Sequence, residues 1–355
     1  MLEKISNEEK ELIDSVIFCQ ASGDIPSILE KINSEKNTYF LLLIFNKIDI
    51  LNFFEILNLS HVKLKFVKQK LINIKNPFSI IKEFFNLYYI NRNILSKIRN
   101  KNIFVYNYFF DNIACYCIEK LKNNNKLFLR IPHPEKFNFI EIFSHKTIKL
   151  LFSTIYSSNL SYFKYGDKKT YGFTKKYADT IFEQDYVLKK NYIKLYQKYS
   201  VDLVKDVNFI LISISEDDFL IKRYKNYSKT IKLIYSFLEK NNTFCKSKPG
   251  YSSTGEIVEN FNLKFIDSNV PFEFIDLSRC RCVISFPSTI LYNLSTLGKK
   301  RVNIRDMFEY KDNTLGIQSL KTHEMYSNDL TPINDFLNMS YPKNINEFKS
   351  IINSL

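Results

Sequence analysis

Residues 15–57 read SVIFCQASGDIPSILEKINSEKNTYFLLLIFNKIDILNFFEIL. Two apolar runs, 16–19 and 39–45, have the length of buried strands. Between them Gly23-Asp24-Ile25-Pro26 opens a helix that reaches about residue 36, since proline suits a first helical turn. A second helix follows at 49–57. A short apolar strand, a helix and another apolar strand form the crossover unit of a parallel sheet, so the segment predicts an α/β fold.

The alternation continues outward from this unit. Strands are expected at 63–67, 103–108, 127–131 and 160–164, with helices at 77–99, 111–122 and 135–157. A capping box of Ser6 and Glu9 starts a helix before the first strand. A polar, Lys-rich stretch from 167 to about 190 breaks the rhythm. A second series then carries strands at 208–214, 243–246, 264–266, 282–285 and 301–304, the last closing the series. Helices at 227–240, 271–277 and 288–296 accompany them. Residues 344–355 read as a final helix with the option of crossing back to the first half. There is no fixed-period repeat. Two Rossmann-like domains facing across a cleft, 1–190 and 191–355, are the economical arrangement. In such sheets ligands sit outside the carboxyl ends of the strands, so the strand exits are where chemistry is sought.

Composition bounds the function. The chain has 355 residues, enough for two domains with cores of their own, and 45% of them are hydrophobic. That share excludes a disordered chain. Lys and Arg number 51 against 37 Asp and Glu, for a net charge of +14. Either an AT-rich coding bias, visible in the Asn, Lys and Ile excess, or a polyanionic partner accounts for it. Tryptophan is absent and glycine occurs only 7 times, which gives each glycine weight as a turn marker. No stretch reaches the ~20 apolar residues of a membrane span, and the first residues lack a signal-peptide core. A cytoplasmic protein is expected. Of the six cysteines, Cys19, Cys115, Cys117, Cys245, Cys280 and Cys282, most lie in apolar runs and read as small hydrophobes; the C-x-C pairs do not have zinc spacing, and no metal is expected.

Three successive strand exits of the second half carry distinctive chemistry. Lys246-Ser247-Lys248-Pro249-Gly250 sets two ammonium groups at a sharp turn, suited to a phosphate, though a solvated turn has the same composition. Pro271-Phe272-Glu273 puts a carboxylate at the start of a short helix, where it also favours the helix dipole. Ser285-Phe286-Pro287-Ser288-Thr289 follows a strand and opens a helix, so hydroxyls and free N–H groups converge as in an anion site. The order of the three counts for more than any one of them.

That order resembles the nucleotide-sugar domain of bacterial sialyltransferases and polysialyltransferases of GT-B fold, of the lipooligosaccharide or capsule type. Those families carry K-x-H-P, then P-x-E, then a Ser-Ser/Thr pair at a helix start. The likeness covers roughly residues 205–300 and extends upstream to FILISISEDDFL, which includes Ser213. More weakly it includes Phe18-Cys19-Gln20-Ala21-Ser22, similar to the turn that begins these proteins, with Gln20 and Ser22 on the acceptor side. The resemblance implies that Lys246, Lys248, Pro249 and Gly250, with Ser213, Ser285, Ser288 and Thr289, hold the donor phosphate. Glu273 would face the nucleoside.

Two departures stand out. Lys248 replaces the family's histidine; it can neutralise a departing phosphate but is a poorer proton donor near neutrality. The family's acidic-acidic-Gly turn is represented by Lys164-Tyr165-Gly166-Asp167, with the acid after the glycine. Asp167 is the candidate general base and Gly166 permits the turn, although Gly-Asp also serves as a plain reversal. His133-Pro134 after a strand either lines the acceptor side or marks a turn. His61, His145 and His323 have no spacing that suggests a metal or a triad.

The implied activity is metal-independent transfer of a sialic acid, or a related nonulosonic or Kdo-type sugar, from a CMP donor. The acceptor would be a glycan or glycolipid at the bacterial surface. No cofactor is expected beyond the donor, the basic surface suits an anionic inner-membrane leaflet, and a homo-oligomer is open. The alternatives are a UDP-sugar GT-B enzyme and a basic protein stacking single-stranded nucleic acid on its 23 Tyr and 32 Phe. Because most of these aromatics fall in apolar helices and strands, core packing is the simpler reading and nucleic acid is not expected. No P-loop, G-x-S-x-G, H-E-x-x-H or G-x-G-x-x-G is present.

Overall fold

The computed structural model describes residues 12–69, 76–106, 111–130, 155–156, 180–182, 189–214, 217–247, 257–267, 269–286, 291, 294–312 and 339–355. The chain divides into two compact units, Met1–Val187 and Leu188–Leu355.

In the first unit the strands are β1 (Ser15–Cys19), β2 (Phe40–Phe45), β3 (Val62–Val67), β4 (Asn102–Val105), β5 (Lys126–Arg130) and β6 (Thr180–Phe182). They form one sheet in the order β3-β2-β1-β4-β5-β6, with parallel pairing throughout. Helices α1 (Ile25–Ser34), α2 (Ile48–Leu57), α3 (Pro77–Asn93) and α4 (Asn112–Leu121) connect them. β1 and β2 are buried at every position, as a central parallel strand covered on both faces must be. Val16, Phe18, Leu41, Leu43, Ile103 and Val105 make one core with the inner sides of α3 and α4. Ile17, Cys19, Leu42 and Ile44 alternate onto the other face, buried likewise.

The second unit repeats the plan. β7 (Phe209–Ile214), β8 (Thr243–Ser247), β9 (Lys264–Phe265), β10 (Cys280–Ser285), β11 (Lys300–Asn303) and β12 (Met339–Ser340) lie in the order β12-β11-β10-β7-β8-β9, again all parallel. Helices α5 (Lys189–Tyr199), α6 (Asp217–Arg223), α7 (Tyr227–Leu238) and α8 (Ile345–Asn353) complete it. In α8, Phe348 and Ile352 enter the core shared with Ile231, Ile234 and Leu238 of α7. Both units are therefore doubly wound α/β sheets. The strand order reverses between β1 and β4 in one and between β7 and β10 in the other.

Several local expectations need correction. The long helix from residue 77 stops at Asn93, where Asn93 Nδ2 bonds back to the Tyr89 carbonyl and Ile94 leaves helical geometry before a 3₁₀ turn at Leu95–Lys97. The region 271–277 is not helical. Only Phe272–Phe274 makes a 3₁₀ turn, because Ile275 bridges Val201 in parallel and that pairing takes the backbone groups a helix would use. Of the helix expected at 288–296, the part at Leu294–Leu297 is likewise 3₁₀. The polar stretch after 167 contains β6, an edge strand, and β11 is not the last strand, since β12 pairs outside it. The opening capping box, nearly all of 135–157 and the strand at 160–164 lie outside the described residues.

Candidate functional site

The second sheet ends in a row of polar side chains. Ser213 is in register with Lys246 across β7 and β8, and Ser285 with Asn303 across β10 and β11. Ile284 pairs with Ile212, so Ser285 falls beside Ser213 one residue on. Lys246, Ser213, Ser285 and Asn303 thus cross four neighbouring strands at their carboxyl ends. Residues in register on parallel strands share a face. One residue earlier on each strand, Cys245, Ile212, Ile284 and Val302 belong to the apolar core of the opposite face. All four polar residues are buried, with Lys246 at 1% and Asn303 at 0% exposure.

An ammonium and three neutral polar groups in such a row are costly to bury without partners. Lys246 Nζ donates to the Ser247 carbonyl at 3.1 Å. Asn303 Oδ1 accepts from the Arg305 amide at 3.1 Å, but its Nδ2 has no hydrogen-bond partner among the described residues. Ser213 and Ser285 sit at the point where strand order reverses, which is the ligand position of a doubly wound sheet.

Glu273 lies near enough to Lys246 for their charges to interact. It is buried in the Phe272–Phe274 turn, and its backbone carbonyl accepts from the Tyr192 hydroxyl at 2.7 Å. α5 supplies Tyr192, whose ring also packs against Phe274. Burial pushes the Glu273 carboxyl above its ordinary range, opposed by a hydrogen bond from its own backbone amide and by the Lys246 ammonium. The same burial, with the Glu273 charge, raises the Tyr192 phenol. Arg301, two residues before Asn303 and on its face, donates from Nη1 to the Leu291 carbonyl at 2.7 Å. That bond anchors the chain just after the Ser288-Thr289 pair. Ser285, just before it, belongs to the row.

Lys248, Pro249, Gly250, Ser288 and Thr289 themselves lie outside the described residues, as do His133, Gly166 and Asp167. Of the expected site residues, the structure brings together Lys246, Ser213, Ser285 and Glu273.

Gln20 and Ser22 stand at the exit of β1, in the other unit. The Gln20 amide donates to Asp24 Oδ2 at 2.8 Å, and Gln20 Oε1 accepts from the Asp111 amide at 2.9 Å. Ser22 is half-buried and begins the 3₁₀ turn Ser22–Asp24. Asn46, with a left-handed φ of 60°, donates from Nδ2 to Asp111 Oδ2 at 3.1 Å and accepts from the Gln69 amide at 2.7 Å. Gln20, Asn46 and Asp111 therefore tie the exits of β1, β2 and β3 to the start of α4.

Asn303, Asn46 and Asp111 were missed in the sequence reading. Asn303 had a visible signal, being the one polar residue at the end of the run Val302-Asn303-Ile304. Its neighbours in the row, Lys246, Ser213 and Ser285, were expected site residues; the register that joins Asn303 to them has no local signal. All six cysteines are free and buried, and burial raises the Cys245 and Cys280 thiols to about 12. Among the described residues no group of three His, Cys, Asp or Glu is placed to hold a metal ion.

No protein-family model and no curated protein matches the chain. Among solved structures it is similar to a UDP-GlcNAc 2-epimerase from Methanocaldococcus jannaschii, at 12% identity and a TM-score of 0.47, over 96% of this chain and 92% of that one. It is also similar to an E. coli heptosyltransferase with ADP-2-deoxy-2-fluoro heptose, at 10% identity and a TM-score of 0.41, over 96% and 99%. A third is the wall teichoic acid polymerase TagF, at 9% identity and a TM-score of 0.39, over 98% and 81%.

Proposed function

We propose that the chain is a glycosyltransferase that moves a sialic acid, or a related nonulosonic or Kdo-type sugar, from a CMP donor to a hydroxyl of a bacterial surface glycan. One observation carries the reading. The buried row Lys246–Ser213–Ser285–Asn303 ends the same strands, β8 and β10, from which the two anion-suited loops issue. A buried ammonium in one row with two hydroxyls and an amide nitrogen unpartnered among the described residues, at a strand-order reversal, suits a phosphate better than it suits an apolar ligand.

In the proposed reaction the acceptor oxygen attacks the anomeric carbon of the donor sugar. The bond from that carbon to the phosphate oxygen breaks, and its electron pair departs with CMP. Asp167 takes the hydroxyl proton. Lys246 and Lys248, with Ser288, Thr289, Ser213 and Ser285, hold the charge that grows on the leaving phosphate, the work a metal ion does elsewhere. Pro249 and Gly250 belong with Lys248 to the donor side, and Glu273 faces the nucleoside. Gln20, Ser22, Gly166 and His133 belong to the acceptor side. With a glycolipid acceptor the protein works as a peripheral protein at the inner membrane face, and no helix among the described residues is long and apolar enough to cross a membrane.

Calorimetric titration with CMP, UDP and an oligonucleotide tests the donor. CMP is expected to bind, and Lys248→Ala and Ser288→Ala are each expected to weaken it about tenfold, the loss of one charge-assisted hydrogen bond. Preference for UDP would transfer the reading to a UDP-sugar enzyme. Unchanged CMP binding in both variants, with their melting curves intact, would remove the proposed phosphate site.

A further inference from the structure

α3 presents an apolar face to solvent. Phe78 and Phe85 are 71% and 70% exposed, Tyr88 is 62%, and Ile81 and Phe84 are about half exposed. Their spacing places them on one side of the helix. Its other side is fully employed, with Leu87 and Ile90 in the core and Glu83 buried, accepting from the Tyr156 hydroxyl at 3.1 Å. The outward aromatics are therefore surplus to the packing of this unit. Five large apolar side chains exposed along one helix face mark an interaction surface.

The charges on the same face select the partner. Lys82 and Arg92 are exposed among the aromatics, and the one carboxylate of α3, Glu83, is turned inward. Asn86 Nδ2 bonds the Lys68 carbonyl at 2.9 Å, which sets another exposed lysine beside the helix, and Arg99 is exposed just beyond it. A second copy would bring cations against cations, on a chain of net charge +14. An anionic lipid surface satisfies both halves of the pattern, the rings entering the headgroup boundary while Lys and Arg meet the phosphates.

We infer that α3 is the surface through which the protein docks on anionic membranes, lying in the interface plane. The inference specifies the peripheral association proposed above and rests on it for location. Its residues lie outside the proposed donor site, so vesicle binding and CMP binding succeed or fail separately.

The absence of tryptophan makes the test direct. Phe85→Trp in the full chain introduces a sole indole at the centre of the face. With vesicles of phosphatidylcholine and phosphatidylglycerol its emission is expected to shift to the blue and to be quenched by brominated acyl chains. With phosphatidylcholine alone the effect is expected to be much weaker, and added salt should reduce it. In sedimentation with the anionic vesicles, Phe85→Ser/Tyr88→Ser is expected to lower partitioning roughly tenfold or more, with CMP binding and melting unchanged. The inference is overturned if the indole ignores anionic vesicles, or if the double variant sediments like the parent. It is also overturned in favour of a second copy if light scattering shows a lipid-free dimer that the double variant abolishes.

Discussion

At Asn303 the carboxamide is divided between two duties. Its oxygen closes the turn to Arg305, while its nitrogen is a buried donor with no partner among the described residues. A buried group left unpaired costs about 1–3 kcal/mol, which a ligand oxygen would recover. Asn303→Ala should therefore weaken CMP several-fold in calorimetry, yet leave stability within about 1 kcal/mol of the parent, since relief of the unpaired amide offsets the lost cap. If CMP affinity does not move, the amide nitrogen has no ligand duty. Glu273 carries a second residue-scale consequence. Its folded pKa lies above the unfolded one, so the native state holds this proton more tightly. The resulting stability is complete at low pH and is lost as pH rises from the ordinary carboxylate range through the raised value. Glu273→Gln should match the parent at low pH and melt no lower near neutrality, with a flatter profile. Thermal melts over a pH series will show it. A variant less stable at neutral pH would mean that the carboxylate gains more from Lys246 than it loses by burial.

Among the elements, α8 shows how a cap and a core residue divide the stabilisation of one helix. Asn344 Oδ1 accepts from the amides of Asn346 and Glu347, each at 3.0 Å. Phe348 is fully buried and packs edge-on against Phe237. In denaturant titrations Asn344→Ala is expected to cost about 0.5–2 kcal/mol. Phe348→Ala should cost about 3–5 kcal/mol. Equal losses would show that the helix is held by its end rather than by its face. The central strands were legible because their apolar runs are uninterrupted, as in Phe40–Phe45. Elements whose form depends on distant partners were not. Phe272–Phe274 stays short because Val201, far away in sequence, claims Ile275, and β6 sits at an edge where no apolar run is required. The same division holds in the site. Lys246 and Ser285 were legible as strand exits, whereas Asn303 becomes one of their row only through the pairing register, which no local pattern encodes.

For the molecule as a whole, the six cysteines provide a global reading of integrity. All are buried, and a raised pKa further suppresses thiolate chemistry at Cys245 and Cys280. A thiol reagent is expected to label none of the six in the native protein and all six after denaturation. Native labelling of any one would reveal local opening at that strand or helix.

The polar row also has a bearing on which insertions and deletions the chain can absorb. Strand spacing acts as a ruler: three steps of about 4.8 Å put Lys246 and Asn303 about 14 Å apart, whatever the lengths of the loops between them. Those loops can lengthen or shorten without disturbing the anchors. A single residue inserted within β10 or β11 is another matter, because it rotates everything after it by half a pleat period. Ser285 or Asn303 would then turn into the apolar core, and Ile284 or Val302 would face the ligand side. Length variation should thus be tolerated beyond the strand ends and be ruinous one residue inside them.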